Sequence, residues 1–286
     1  MRLIPARIKD GHLLNEVDQF KNDSEHFHLW WLGQSGYLLM WKGNIVLIDP
    51  YLSDSLTEKY ANTQKPHIRM SERVVDPALL KNISVITSSH NHTDHLDGST
   101  LIPLINNNPN AVFIIPEANR NFVCDRIQQP IEFPLGMDAG KTVQVGEVTF
   151  HGVPASHNEI EKDDLGRCKF MGYVIQFGKW VLYHSGDTLY FDDMVDFLKP
   201  FHIDVALLPI NGNDPSRGVA GNLNGKEAAM LAKSIDAKLV IPCHYDMFTF
   251  NTADPDEFIG ACQQIDQQFR ILPPGGYFGS KMLNEF

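Results

Sequence analysis

The first half of the chain alternates short apolar runs with Gly, Pro and Asn positions, a pattern typical of β-strands separated by turns. The first three runs are FHLWWLG, GYLLMWKG and NIVLIDP. Eight more strand candidates follow along the chain: ISVITS, NAVFIIP, KTVQVG, EVTFHGVPA, MGYVIQFG, KWVLYHSGD, IDVALLPI and AKLVIPCH. This pattern predicts a protein whose centre is built from β-sheets.

Helical patterns lie between these runs, in PEANRNFVCDRIQ, FDDMVDFLK and two further segments. In NGKEAAMLAKSI, Asn224 can cap the first turn and Glu227 stands three residues later, which is the spacing of a capping box. In DPDEFIGACQQIDQQ, Asp254 is the predicted cap, Pro255 the first helical residue and Glu257 the capping-box glutamate. Strands that alternate with helices predict an α/β fold with helices packed outside the sheets.

Length and composition set the broad class of the protein. The chain has 286 residues, 43% of them hydrophobic, which is enough for a sizeable buried core. No repeat, low-complexity tract or Gly/Ser linker marks a boundary, so we predict one domain over residues 1–286.

No run approaches the ~20 apolar residues of a membrane helix, and the start has no signal-peptide pattern. Four scattered cysteines without a CxxC motif then favour a cytoplasmic protein with reduced thiols.

The charge balance bears on the partners of the protein. The formal net charge is −11 at pH 7. Domains that bind a nucleic-acid backbone usually carry a basic face, so we expect no nucleic-acid partner. A local basic pocket is compatible with this balance, and we expect a small, anionic substrate. The sequence leaves open whether the chain forms a homo-oligomer.

One polar stretch, SSHNHTDHLDG, directly follows the apolar run ISVIT. It places His90, His92, Asp94 and His95 within six positions. A solvated polar loop is the ordinary interpretation of such a stretch. Imidazole and carboxylate groups at this density are also the ligands that zinc and other transition metals prefer in proteins. We favour the second interpretation, because further candidate ligands follow other predicted strands.

These further candidates are Asp49 after NIVLI, His157 after VTFHGVPAS, Asp187 after WVLYHSG and His244 after KLVIPC. Each alone would be a turn aspartate or a packed histidine. Together they lie where α/β enzymes gather functional groups, at the ends of strands. The other histidines show no such pattern and are interpreted as ordinary packed or surface residues: His12, His26, His28, His67, His151, His184 and His202. His184 alone lies close enough to Asp187 in the sequence to support a ligand from behind.

The stretch HNHTDH resembles the HxHxDH signature of the metallo-β-lactamase superfamily, and the later candidates match the other stations of that superfamily in order. The resemblance implies an α/β fold, the αββα four-layer sandwich, with two metal ions at one edge of the sheets. The donors it implies comprise five imidazoles and two carboxylates, which suit zinc or manganese and also iron.

The resemblance also implies a role for each residue. His90, His92 and His157 would hold one ion. Asp94, His95 and His244 would hold the other, and Asp187 would bridge the two ions. Asp49 would orient a ligand histidine by accepting its other N–H.

A narrower resemblance comes from WWLGQSGYLL, VLIDPYLSD, PINGNDPSRGVAGNLNGKEAAMLA and LVIPCHYDMFTFNTADPDEF, which are similar to the ascorbate-6-phosphate lactonase family. It implies a metal-bound hydroxide that opens a small, phosphorylated sugar-acid lactone or cleaves an ester. The alternative is a metal-dependent phosphodiesterase resembling the phospholipase D that cleaves N-acyl phosphatidylethanolamines. That enzyme has a SHNHYDHLD-like stretch, in which Thr93 of this chain replaces the tyrosine. A third hypothesis is a metal-bound scaffold without catalysis, whose sheet edge binds a partner.

Asp94 is the predicted catalytic residue, a proton carrier to the leaving oxygen, and a role as ligand only is the alternative. Asn211, Asn213 and Arg217 follow the strand VALLPI and are predicted to contact substrate. Arg217 could pair with a phosphate through two hydrogen bonds, although a solvated arginine is the ordinary interpretation. Tyr245 directly follows His244 and is predicted to line the mouth of the site.

Overall fold

The computed structural model describes residues 2–285 and contains two mixed β-sheets flanked by helices. The strands, in chain order, are β1 Phe27–Gly33, β2 Gly36–Trp41, β3 Asn44–Ile48, β4 Ile83–Thr87, β5 Val112–Pro116, β6 Leu135–Met137, β7 Thr142–Val145, β8 Val148–Pro154, β9 Met171–Phe177, β10 Trp180–His184, β11 Val205–Pro209, β12 Leu239–Cys243 and β13 Tyr277–Gly279. All eleven predicted strands are present. The two short strands β6 and β13 had not been predicted.

Seven α-helices accompany the sheets within the described residues: α1 Asp10–Gln19, α2 Ser55–Tyr60, α3 Gly98–Asn107, α4 Arg120–Ile127, α5 Met194–Leu198, α6 Gly225–Ser234 and α7 Asp256–Gln264. The last four correspond to the predicted helices, and the first three had not been predicted. The chain turns directly into α3 after the histidine-rich stretch, because the Asp97 carboxylate accepts the backbone N–H groups of Ser99 and Thr100 and so caps the helix.

The two predicted capping boxes differ in outcome. In α6, Asn224 accepts from the Glu227 N–H and the Glu227 carboxylate accepts from the Asn224 N–H, as predicted. In α7 the Asp254 carboxylate accepts from the Asp256 N–H, but Glu257 does not bond back to its own helix. Its carboxylate accepts the Gly225 N–H instead, so it satisfies the start of the neighbouring helix.

The first sheet has the strand order β13-β1-β2-β3-β4-β5-β6, and the second has the order β12-β11-β10-β9-β8-β7. Alternation along β1 shows how the layers form. Phe27, Leu29 and Trp31 pack in the core between the two sheets. Trp30 and Leu32 point to the other face and pack with residues of α1, α3 and α4. A strand with both faces covered is buried at every position, as β1 is, and nearly all of its residues are apolar.

The outer face of the second sheet is covered in the same way. Buried residues of α5, α6 and α7, such as Leu198, Leu231 and Phe258, belong to the same core as the strands of that sheet. The predicted αββα sandwich is therefore confirmed. The four cysteines are buried and unpaired. In the part of the chain that the structure describes, no helix has the length and apolar character needed to cross a membrane.

Candidate metal centre and its cavity

The fold brings the ends of five strands to one edge of the sandwich. In the first sheet, β3 and β4 are parallel neighbours. In the second, β8 and β10 each pair antiparallel with β9, and β12 runs parallel to β10 through β11. The carboxyl ends of these strands therefore meet. The sheets form a rigid scaffold for the loops that follow these strands. Such loops can therefore position functional side chains accurately.

All seven predicted metal ligands come together at this edge, in two groups that share one residue. Potential donor atoms of His90, His92, His157 and Asp187 lie within 4.8 Å of one another. Those of Asp94, His95, Asp187 and His244 form the second group within the same limit. Asp187 is the shared member, and a carboxylate has two oxygens with which it can serve two ions.

The donor atoms lie close enough together to share an ion. Atoms bound at about 2.1 Å to one ion lie roughly 3.0–3.4 Å apart. Asp187 Oδ1 is 3.2 Å from His95 Nε2, and Asp187 Oδ2 is 3.4 Å from His244 Nε2 and 3.8 Å from His157 Nε2. His90 Nε2 and Asp187 Oδ1 are buried and have no aligned hydrogen-bond partner among the described residues. Buried polar atoms are normally paired, so these atoms fit a bound cation.

The histidine rings are oriented by their second nitrogen atoms. His95 Nδ1 lies 2.7 Å from Asp49 Oδ2, and His157 Nδ1 lies 2.8 Å from the Gly221 carbonyl oxygen. Both partners are acceptors, so each Nδ1 carries a proton and each Nε2 faces the centre. His90 Nδ1 lies 3.0 Å from the Ser89 hydroxyl. Such outer partners hold ligand rings in place.

Asp49, predicted to orient a ligand histidine, is fully buried behind the centre. Besides His95, its Oδ2 accepts from the Ser89 N–H at 3.2 Å and from the Ser89 hydroxyl. Its Oδ1 accepts from the Thr87 hydroxyl at 3.1 Å. One carboxylate thus links the end of β4 to the ligand His95.

Burial and neighbouring charges shift the pKa values of the donors in different directions. Burial lowers the pKa of His90 well below its usual value, and the neighbouring His95 lowers it further, so His90 is neutral as a metal ligand must be. Burial would also lower the pKa of His244, but Asp187 and Asp94 outweigh it and raise that pKa to about 9. Burial would raise the pKa of Asp187, yet His95 and His244 hold it well below its usual range. The ionised Asp187 is therefore suited to bind cations.

Two neighbours of the donors had not been predicted. Gln34 Nε2 lies 2.8 Å from Asp94 Oδ2 and 3.0 Å from His244 Nε2. It stands in the GQSG turn between β1 and β2, and this turn was the available sequence signal.

Gly186 has a left-handed φ of +61°, and a Cβ there would lie 2.7 Å from the Met171 carbonyl oxygen. Only glycine lets the chain pass this close while it presents Asp187.

A cavity of about 500 Å³ opens above the donors. Its floor consists of Gln34, His92, Asp94, His157, Asp187 and His244. Four rings form one side, which we call the aromatic wall: Tyr60, His67, Phe248 and Phe250. Three cationic side chains form what we call the basic rim: Lys59, Lys65 and Arg126. None of the wall or rim residues had been predicted.

The four predicted substrate contacts lie outside the set of described residues that line this cavity. Arg217 donates to the Asn251 side chain and to the carbonyls of Asn211 and Gly212, so its guanidinium closes its own loop. Asn211 is buried and donates to the Asn251 side chain, while Asn213 is exposed.

Tyr245 is buried, stacks on Trp31 with ring centroids 4.6 Å apart, and donates to the Leu272 carbonyl at 2.6 Å. These contacts place the tyrosine in the core rather than at the mouth of the site. From the predicted loop after β11, the residues that do reach the cavity are Gly218, Val219 and Ala220.

Comparison with known proteins agrees with this geometry. The family model described as Beta-lactamase superfamily domain matches residues 44–245. A UPF0173 metal-dependent hydrolase from Archaeoglobus fulgidus is 31% identical over 252 residues, which span 86% of this chain and 95% of the relative. A probable L-ascorbate-6-phosphate lactonase, UlaG, from Shigella dysenteriae is 24% identical over 277 residues, spanning 86% of this chain and 77% of the relative.

Among solved structures, Igni18, a metallo hydrolase from the hyperthermophilic archaeon Ignicoccus hospitalis, superposes with a TM-score of 0.64. The match covers 89% of this chain and 98% of that protein at 22% sequence identity. At this level of identity the likeness shows a shared fold.

Proposed function

Because the chain belongs to the Beta-lactamase superfamily domain family and is a metal-dependent hydrolase of the metallo-β-lactamase superfamily, we propose that it uses two divalent ions to open a small lactone or cleave an ester. The superfamily resemblance inferred from HNHTDH is confirmed, and a lactonase is among the relatives. The lactonase description of that relative supports a lactone as the first substrate class to test.

One observation carries the proposal: two groups of donors share the buried carboxylate of Asp187. His90, His92 and His157 would hold one ion. Asp94, His95 and His244 would hold the other. Divalent zinc, manganese or iron in such a site lowers the pKa of a bound water towards about 7 and polarises a carbonyl or phosphoryl oxygen.

The chain supplies the remaining parts of the reaction. Asp94 has a side chain that is 15% exposed, whereas those of His95 and Asp187 are 0% and 4% exposed. Of the two carboxylates at the floor of the cavity, Asp94 is therefore the more exposed, and we propose that it passes a proton to the leaving oxygen. Gln34 holds its Oδ2 at 2.8 Å, which leaves Oδ1 for this transfer.

The basic rim supports an anionic small molecule as substrate. Lys59, Lys65 and Arg126 stand at the cavity of a chain whose net charge is −11. Cations placed there would attract a carboxylate or phosphate to a protein that otherwise repels anions. Four buried, unpaired cysteines support a reducing compartment, and we propose the cytoplasm.

Metal analysis joined to a substrate screen tests the proposal. The purified chain is reconstituted with zinc, manganese or iron(II), dialysed, and analysed for metal. It is then assayed on lactones, simple esters and phosphodiesters. We expect about two ions per chain and hydrolysis of lactones or esters. A metal content below about half an ion per chain would exclude the two-ion centre. Activity on phosphodiesters alone would instead favour the phospholipase-like alternative.

A further inference from the structure

His67 is held firmly in the aromatic wall, although it lies outside any strand or helix. Its carbonyl oxygen accepts from the Thr57 hydroxyl at 2.6 Å. Beyond it, the Thr249 N–H donates to the Ile68 carbonyl at 2.9 Å and the Met70 N–H donates to the Met247 carbonyl at 2.8 Å. These bonds fasten the segment to the chain that follows the ligand His244. The position of the ring is therefore tied to the metal centre through the backbone.

The two ring nitrogens of His67 have different surroundings. Nδ1 lies 2.8 Å from the Lys65 carbonyl oxygen, which can only accept, so Nδ1 carries the proton of the neutral ring. Nε2 then has a lone pair and has no hydrogen-bond partner among the described residues. The ring lines the cavity, so Nε2 is the polar atom that it offers to a ligand.

The surrounding rings fix the orientation and the charge state of this imidazole. Its centroid lies 4.5 Å from Tyr60, 5.3 Å from Phe248 and 5.1 Å from Phe250. Burial among them lowers the pKa of His67 below its usual value. The ring is thus neutral at physiological pH, in agreement with the tautomer that the Lys65 carbonyl selects.

We propose that His67 is a specificity-determining residue that accepts a hydrogen bond from a hydroxyl group of the substrate. The proposal deepens the hydrolase function above and rests on it, because it makes the substrate a hydroxylated lactone or ester. The complementarity is directional. Lys65 and Arg126 each donate to backbone carbonyls and keep further N–H groups, which, like those of Lys59, can only donate and suit an anionic group. His67 Nε2 can only accept while it is neutral. A molecule with both an anionic group and hydroxyl groups satisfies both sides of the cavity.

Paired substrates test the inference by kinetics. The metal-loaded enzyme is assayed on γ-butyrolactone and on its α-hydroxy and β-hydroxy derivatives. We expect wild type to prefer one hydroxylated lactone by roughly 10- to 100-fold in kcat/KM, because an unmet acceptor in a partly buried site is costly. In His67→Phe the preference should fall below about threefold, because kcat/KM falls more for the hydroxylated lactone than for the unsubstituted one.

Two variants serve as controls. His67→Gln keeps an acceptor oxygen and should retain part of the preference. His12→Phe alters an exposed histidine on α1 and should behave as wild type. A His67→Phe enzyme that keeps the full preference for the hydroxylated lactone would overturn the inference, and so would a wild type that hydrolyses lactones without any preference.

A binding measurement separates this inference from the proposed hydrolase activity. Long-range ¹H–¹⁵N spectra of the zinc-loaded protein give the His67 nitrogens, which are assigned by their loss in His67→Phe. We expect an unprotonated Nε2 whose resonance shifts saturably with gluconate and not with hexanoate. A protonated Nε2, or no shift with gluconate, rejects the role of His67 even if lactones are hydrolysed. An enzyme that hydrolyses none of the lactones or esters would reject the proposed function, and the spectra would still decide for His67.

Discussion

The floor of the cavity and its aromatic wall hold their side chains by different means. At the floor and directly beneath it, two donor rings have a partner behind them: His157 has the Gly221 carbonyl, and His95 beneath the floor has Asp49. On the wall, rings pack against rings, and among residues 2–285 the His67 ring has one hydrogen bond, to a backbone carbonyl two residues away. The floor is therefore preorganised by polar bonds, whereas the wall is shaped by packing and by backbone pairing.

This difference separates two tasks. Polar bonds to buried partners are directional, and directional bonds are needed where donors must converge on ions to within a few tenths of an ångström. Packing tolerates a change of shape, which suits a surface that has to match one substrate among many of similar chemistry. We infer that the floor determines the reaction and the wall selects the substrate.

The largest effect should come from the residue that joins the two donor groups. In Asp187→Ala both groups lose a member, so both ions should be lost after dialysis. His90→Ala shortens only one group and should keep close to one ion per chain. Metal analysis of the two variants beside wild type and His12→Ala measures this. An Asp187→Ala protein that still holds two ions would show that the groups do not depend on a shared carboxylate.

A smaller effect is expected behind the floor, at Asp49. Asp49→Asn keeps the shape but replaces one acceptor oxygen with a donor, facing the Ser89 N–H and His95 Nδ1. We expect a loss of metal affinity of roughly 10- to 100-fold, as for other groups that orient ligands. Competition with a chelator measures it, and the ion held with His95 should be released first. Equal release of both ions would mean that Asp49 supports the whole edge rather than one ligand.

The same difference explains which features could be predicted from the sequence. Apolar alternation is a local property, and it predicted every long strand. The donors also left a local signal, because four of them lie within six residues and the others follow strands. Glu257 is a residue whose partner the local sequence did not predict. Its spacing suited a capping box in its own helix, but its carboxylate accepts the Gly225 N–H of a neighbouring helix. The hydrogen-bond partner of a glutamate depends on how helices pack together, and a short stretch of sequence does not contain that information.

The aromatic wall had no sequence signal of this kind. Tyr60 and His67 meet Phe248 and Phe250 only because the chain around Met70 pairs with the chain around Met247. This pairing lies outside the sheets, and neither segment has strand periodicity. His67 was therefore interpreted as an ordinary histidine. Asn211 and Arg217 were predicted to contact substrate from the loop after β11, but their polar groups hold that loop together.

A pH dependence should test how the floor is supported from behind. His184 is buried behind the floor, with Nε2 2.9 Å from the Ser35 carbonyl oxygen and Nδ1 accepting from the Gly186 N–H. Burial lowers the pKa of His184 below its usual value. The unfolded chain therefore binds this proton before the folded chain does, and stability is lost as pH falls below about 6.5.

The variant His184→Gln can keep both bonds and does not titrate. The difference in free energy of unfolding between wild type and His184→Gln should thus be constant above about pH 7.5. At lower pH, wild type should lose stability relative to the variant. Urea unfolding of both metal-loaded proteins from about pH 8 to about pH 5 measures it. Parallel curves over this range would contradict the assignment of a neutral His184.

The smallest effect is expected at Tyr245, where the contacts predict a structural role and the sequence pattern predicted a substrate contact. Removing its hydroxyl in Tyr245→Phe leaves the Leu272 carbonyl without this donor, at a cost of about 1–2 kcal/mol in the free energy of unfolding. The stacked ring on Trp31 remains, so kcat/KM should stay unchanged. Tyr190→Phe removes the hydroxyl of a tyrosine that is 51% exposed and should alter neither quantity. If Tyr245→Phe instead lowered kcat/KM and kept the free energy of unfolding unchanged, the Tyr245 hydroxyl would belong to the substrate site. Next to His244, residues held by packing would then contribute to the reaction as the polar floor does.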